Sequence, residues 1–504
     1  MTGLNDIIRT FSFEEQQQFV QFLAKKNKRN DTKNIQLFQL LLNEDFSSDE
    51  IAIKIYKKKN KDALYALRKR LYQSVIDFTA NHSLEDEGSI DMQIIKYLLA
   101  ARNYLAKGHY KMAYKILDKA EVIADEHQLY PLLNEIYHTK IQYAYKNESI
   151  DLNVLTQKFK NNQDLHKTDE ELNIAYAKIR KAIKEVAYKG AIVNFQELVE
   201  AIFKEHNINA NETLSFKSLY QLITIVSISA FATKDYYKIE SFLLSSYETL
   251  KNHKSKDKQL LYHIHVVFAI ANALFRNKKF EASLEYLEIM HELMLQKRKK
   301  YDSLFRLKYN LLLGLNQNYS GQYERAIETL EPFVQKNHPD LSSQLDIYLS
   351  LIVCHFQQSE FKKAMRIFSK FYHTDKWYIE KAGKEWVLKK NLIEILLHLE
   401  LENIDLFESR LLSFKRSYYQ YLKEIGQQRA INYLSLVEEH YKNPKIVITQ
   451  EFHDKVENSF EWLSPEVEDI FVMSFYAWLK SKMEQQPLYE TTLNLVNSSA
   501  SVTN

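Results

Sequence analysis

The chain has 504 residues with a net charge of +3, 45% hydrophobic and 26% charged residues, and only 8 Gly and 6 Pro. So few Gly and Pro exclude sheet proteins built on tight hairpins, which need Gly, Asn-Gly or Asp-Gly at positive φ, and the Gly-rich phosphate turns of Rossmann and P-loop folds. Near-balanced charge excludes a global field drawing the chain onto nucleic acid or an anionic membrane, while the apolar content is ample for a packed core.

In chain order, Met1-Thr2-Gly3-Leu4-Asn5-Asp6 shows neither the basic nor the apolar region of a secretory signal, and no apolar stretch approaches the ~18 residues of a membrane span. The expected setting is cytoplasmic, with no membrane contact. Residues 1–85 read as a separate, basic helical domain. Ser12-Phe13-Glu14-Glu15 and Ser47-Ser48-Asp49-Glu50 each fit a capping box, and Leu64, Leu67, Leu71, Val75 and Phe78 form one apolar helical stripe. The same region carries Lys57, Lys58 and Lys59, then Arg68, Lys69 and Arg70, with Tyr56, Tyr65 and Tyr72 interleaved. A solvated basic face is the plain reading, and a phosphate-contacting surface is the alternative. The polar, acidic stretch from Ser83 to Ile90 is a plausible junction.

An internal repeat follows. Gly108-His109-Tyr110-Lys111-Met112-Ala113 with Leu117 and Ala120, preceded by Tyr97, Ala101 and Tyr104, is matched by Gly314, Gly321-Gln322-Tyr323, Ala326, Leu330 and Phe333. Ala271, Phe280, Ser283, Leu287 and Met290 repeat it, as do Phe361, Ala364, Phe368 and Phe371. These segments resemble tetratricopeptide repeats. Small residues such as Ala101, Ala113, Gly314 and Ala326 belong where antiparallel helices cross closely, with Tyr104, Tyr110 and Tyr323 filling the space beside them. The marker residues Tyr110, Leu152, Phe195, Tyr237, Phe280, Tyr323, Phe361 and Leu406 are separated by 42, 43, 42, 43, 43, 38 and 45 residues. That period of about 43 exceeds the ~34 of ordinary repeats and implies longer helices. The expected fold is all-α, a right-handed α-solenoid of such hairpins over 86–425, at least six of them between about Gln93 and Leu412. A helical cap over 426–490, whose last helix starts at Glu461-Trp462-Leu463-Ser464-Pro465 and runs to about Met483, and a disordered tail over 491–504 complete the expectation.

No motif points to catalysis. Phosphate loops, His-Glu-x-x-His, paired Cys and nucleophile elbows are missing from the sequence. His263 and His265 lie two apart on a helix, a poor metal pair, and read as one packed and one exposed. Cys354, within Leu351-Ile352-Val353-Cys354-His355, reads as a small buried hydrophobe. Neither catalytic residues nor metal ligands nor a cofactor are expected. The tetratricopeptide resemblance implies a concave groove lined by first-helix positions, here Arg102, His265, Asn272, Arg276, Asn318 and Tyr319. Asn272 and Arg276, four apart, resemble in part the carboxylate-holding clamp of some members, without its lysines. The leading expectation is a protein–protein interaction scaffold holding a peptide or protein segment in that groove. The alternative is a nucleic-acid-binding regulator with a basic N-terminal domain and a repeat sensor.

Overall fold

The computed structural model describes residues 3–9, 11, 13–26, 33–43, 46–85, 90–185, 195–208, 215–233, 236–252, 256, 258–335, 338, 340–459 and 468–500. Among them every regular element is helical, so the chain is all-α. Two compact units, 1–163 and 164–504, part within one long helix. The first unit holds α1 (Gly3–Arg9), α2 (Phe13–Lys26), α3 (Lys33–Asn43), α4 (Ser48–Tyr56), α5 (Lys61–Glu85), α6 (Ile90–Ala106), α7 (Tyr110–Glu126) and α8 (Tyr130–Tyr143). Helix α9 (Leu152–Lys184) runs through the division. The second unit continues with α10 (Phe195–Glu205), α11 (Phe216–Thr233), α12 (Tyr237–Lys251), α13 (Leu260–Arg276), α14 (Phe280–Lys299), α15 (Asp302–Tyr319), α16 (Tyr323–Leu330), α17 (Leu341–Gln357) and α18 (Phe361–Phe368). It ends with α19 (Asp375–Ala382), α20 (Lys384–Glu400), α21 (Ile404–Glu424), α22 (Gln428–Lys442), α23 (Gln450–Ser459), α24 (Ile470–Glu484) and α25 (Leu488–Ala500).

The repeat markers fall at helix starts. Tyr110, Leu152, Phe195, Tyr237, Phe280, Tyr323 and Phe361 each open a helix, and Leu406 lies two residues inside α21. One expectation fails between the second and third markers. From Leu152 the chain continues as a single 33-residue helix, because no Gly, Pro or turn cluster interrupts its run of helix-forming Lys, Gln and Glu. A hairpin with two separate helices was expected there.

The turns α6–α7, α7–α8, α13–α14, α15–α16, α17–α18, α20–α21 and α21–α22 share one geometry. A left-handed residue stands two positions before the next helix: Gly108, Gln128, Lys278, Gly321, Ser359, Glu402 and Gly426, with φ between 54° and 86°. The N–H that follows it donates back to the carbonyl five residues earlier, as from His109 to Tyr104, Lys279 to Leu274 and Asn403 to His398, each at 2.9 Å. This is the Schellman closure, which satisfies carbonyls left open at a helix end. Using Gln, Lys, Ser and Glu at the left-handed position is how so helical a chain manages with 8 Gly. The left-handed conformation costs a non-Gly residue about 1–2 kcal/mol, partly offset by the unfolded-state entropy that Gly adds. Glu402→Gly, at an exposed site, is therefore expected to stabilise the protein by about 0.5 kcal/mol in urea unfolding. A destabilised variant would contradict this account of the turns.

In the first unit, Leu64, Leu67, Leu71, Val75 and Phe78 are all buried, packed with Phe19 and Phe38 in one core. The Ser47 capping box forms: Ser47 N–H donates to Glu50 Oε2 at 2.7 Å, and Glu50 N–H donates to Ser47 Oγ. Ser12 lies outside the described residues. Ala101 and Ala113 are buried at the α6–α7 crossing, but Tyr104 is exposed with its ring edge on His109, so it fills no space there. In the second unit, Gly314 of α15 lies so close to α16 that an added Cβ would stand 2.7 Å from Leu330 Cγ. Ala326 is likewise fully buried.

The C-terminus departs most from expectation. The proposed helix start at Trp462–Pro465 lies outside the described residues, and α24 begins at Ile470, capped by Asp469. Residues 491–500, expected to be disordered, belong to α25, where Thr491, Thr492 and Val496 are buried. The polar look of this stretch misled because Thr491 and Thr492 donate their hydroxyls to the carbonyls of Pro487 and Leu488, four residues back, hiding their polarity within the helix.

Candidate functional site: the face of α13, α15 and α17

Helices α13 and α15 carry five of the six residues expected to line a groove, and α24 with α25 lie against them and α17. Asp469 links the two sets. Its Oδ1 accepts the N–H groups of Phe471 and Val472 at 2.9 and 3.4 Å, and its Oδ2 accepts from Arg276 Nη1 at 3.0 Å. One carboxylate thus caps a helix, where its charge meets the positive end of the dipole, and pairs with a guanidinium. Beside it, Lys278 Nζ donates to the Glu468 carbonyl at 3.0 Å, while Arg429 Nη2 holds the Glu468 carboxylate at 2.9 Å. Further along, Tyr319 Oη and Ser474 Oγ are 2.9 Å apart, Gln357 Nε2 donates to the same Ser474 at 3.3 Å, and Tyr489 donates to the Asn318 carbonyl at 2.6 Å. Ile470, Met473 and Val496 join the apolar cluster of α13 and α15.

The six expected groove residues therefore separate. Arg276, Asn318 and Tyr319 do share a face, but it is taken by the chain's own C-terminal helices: Asn318 and Tyr319 are buried, and Arg276 is ion-paired. Asn272 on the same helix is half-buried. Arg102 stands apart in the first unit, where Nη2 pairs with Glu135 at 2.6 Å and also bonds Thr139. His265 is half-buried among aromatic rings. Its ring packs against Tyr220 at 5.3 Å and edge-on to Phe305 at 4.6 Å. His263 is buried as well, against Phe216 and Tyr247, so the reading of one packed and one exposed histidine is corrected: both pack. The residues that sequence reasoning missed are Glu468, Asp469, Ser474 and Tyr489. An Asp ahead of the apolar run Ile470-Phe471-Val472-Met473 was an available helix-start signal.

Burial, followed by the charges of Lys308 and Arg180, pushes the His265 pKa down to about 4. The folded state thus prefers the neutral ring. Its contribution is whole above the unfolded value of ~6.5 and is lost as pH falls from there toward 4. His265→Phe is expected to flatten that part of the stability profile, removing a loss on the order of 2–3 kcal/mol. Equal slopes in both proteins between pH 6.5 and 4 would count against this assignment.

Cys354 is buried, and burial raises its thiol pKa to about 12. The thiolate, the reactive form, is therefore scarce. Iodoacetamide at pH 8 should leave Cys354 unmodified in the folded chain and alkylate it in denaturant, with mass spectrometry as the check. Rapid native-state labelling would contradict its buried setting.

On the first unit, Lys57, Lys58 and Lys59 are exposed at the end of α4, and Lys59 Nζ lies 3.3 Å from Asp49. Along α5, Lys69, Arg70, Tyr65 and Tyr72 are exposed, whereas Arg68 is half-buried. Among the described residues, no group of three or more His, Cys, Asp or Glu could hold a metal ion, and no helix is long and apolar enough to cross a membrane. Set against protein-family models, curated proteins and solved structures, the chain matches none.

Proposed function

We propose that the chain is a cytoplasmic protein–protein interaction scaffold, without enzymatic activity, whose tetratricopeptide-like hairpins form a right-handed superhelix that holds a helical segment of a partner protein. The face of α13, α15 and α17 is the binding surface, and α24–α25 are its resident occupant. One observation carries the reading. The occupant leaves polar atoms of that face unsatisfied: Arg276 Nε and Asn318 Oδ1 are buried without a hydrogen-bond partner among the described residues. Each such atom costs about 1–3 kcal/mol, so a partner segment that bonds them competes with α24–α25 on favourable terms.

The test replaces residues 461–466 with a protease site, cuts the purified full chain there, and adds a fluorescent peptide of residues 468–497. Exchange of the labelled peptide into the cut protein is expected, and Arg276→Ala should weaken it about tenfold or more, the value of one lost charge-assisted contact. Release of the fragment only on global unfolding would make the face a closed core and overturn the reading. The alternative, nucleic-acid contact through the first unit, rests on exposed Tyr65 and Tyr72 beside Lys69 and Arg70 on α5. Salt-sensitive retardation of RNA or DNA that is lost on Lys69→Glu, Arg70→Glu would favour it.

A further inference from the structure

A cavity of about 300 Å³ lies between the end of α18, the start of α19, and helices α20 and α21. Four charged side chains, Asp375, Lys390, Glu394 and Arg410, are among its lining. Lys390 Nζ, on a side chain only 8% exposed, lies 3.1 Å from Asp375 Oδ1 and 3.8 Å from Glu394 Oε2. The same ammonium stands 5.7 Å from the ring centres of Phe368 and Tyr378. Asp375 Oδ2 accepts from Asn391 Nδ2 and Tyr418 Oη, both at 2.7 Å. Arg410, half-exposed at the mouth, reaches Glu394 Oε1 through Nε at 2.9 Å, a contact that leaves both Nη groups of the fork for another acceptor.

Stability does not call for this arrangement. Burying ion pairs costs more desolvation than well-packed apolar residues of the same volume, and here the charges surround open space inside an otherwise aliphatic and aromatic core. The charges sum to zero, Lys390 and Arg410 against Asp375 and Glu394. A net anion would meet two carboxylates, and a net cation would meet an ammonium already seated in the aromatic position. A molecule carrying both signs a few ångströms apart finds a partner for each, its carboxylate at Arg410 and Lys390 and its ammonium at Asp375 and Glu394. Phe371 and Phe414 supply apolar wall for a side chain, and His373, the remaining ring of the lining, is stacked on Trp377 at 3.9 Å. A volume at the small end of ligand pockets suits a molecule of few heavy atoms. We propose that the Lys390–Asp375–Glu394–Arg410 cavity binds a free α-amino acid with an apolar side chain. This site stands independently of the partner-binding face.

The test is calorimetric titration of the full chain with the common L-amino acids at up to about 10 mM, enough to detect millimolar affinity. Saturable binding of one or more apolar amino acids is expected. The amine and the carboxylic acid matching that side chain should each bind at least about tenfold more weakly, since each lacks one charge-assisted partner. Arg410→Gln should weaken the amino acid by about tenfold or more, and Ser413→Trp at the exposed rim should abolish binding while keeping the unliganded melting temperature of the parent. No saturable heat with any amino acid, the amine binding as tightly as the amino acid, or binding that survives Ser413→Trp would each overturn the proposal.

Discussion

Trp478→Ala is expected to cost the second unit about 3–5 kcal/mol, the range for a large aromatic removed from a core. Trp478 is 1% exposed and sits on α24 within the apolar cluster shared with α20 to α22. Its indole Nε1 donates to Glu400 Oε1, Lys482 Nζ lies 5.8 Å over its ring, and His440 packs against its edge at 5.8 Å. Alanine removes the apolar filling and the hydrogen bond together, leaving Glu400 with Lys482 at 2.7 Å. The loss should appear as a lower urea midpoint. Because α24 also carries Ser474 and is capped by Asp469, hydrogen exchange should rise along 470–484 before the rest of the unit. A midpoint change equivalent to under about 1 kcal/mol would contradict the close packing of Trp478 against α20 to α22.

A comparable loss is expected from overpacking the α15–α16 crossing. Ala326→Trp places an indole where the parent side chain has no exposure, and Gly314→Val sets a branched Cβ against Leu330, which is itself fully buried. Cores of native density absorb extra volume only by shifting backbone, at about 1–3 kcal/mol for modest additions, so the tryptophan should cost about 3 kcal/mol or somewhat more. Ala113→Trp should do the same in the first unit, where Ala113 is equally buried. The three variants share one diagnostic. If all melt like the parent, the small residues do not mark close crossings and the repeat register is misplaced.

Close helix crossings were legible because packing writes them into the chain. Two helices can cross closely only over small side chains, so Ala101 pairs with Ala113 and Gly314 with Ala326 at the α6–α7 and α15–α16 crossings, and markers such as Tyr323 and Phe361 open helices. The α-helical period was equally plain in the stripe from Leu64 to Phe78, since one face of a helix must reach the core. Local chemistry read less well where a residue's usual habit was overridden. Ser359 and Glu402 hold left-handed turns that composition assigns to Gly, and Thr491 and Thr492 lie buried in a helix after bonding their own backbone. These are short-range effects, but they depend on hydrogen bonds that a polarity pattern does not display.

By itself the sequence determined the helical class, several helix starts and the small residues at the α6–α7 and α15–α16 crossings, because each follows from local geometry. Only the tertiary structure decided what faces α13, α15 and α17. Arg276 and Asp469 are 193 residues apart, and Tyr319 and Ser474 are 155 apart. Nothing in helical periodicity distinguishes an apolar face that awaits a partner from one that a distant helix of the same chain covers. The four charges around the α18–α21 cavity were likewise hidden. Lys390 and Glu394 are neighbours on one helix, but Asp375 and Arg410 join them only when three helices pack, and burial alone turns ordinary surface residue types into a site.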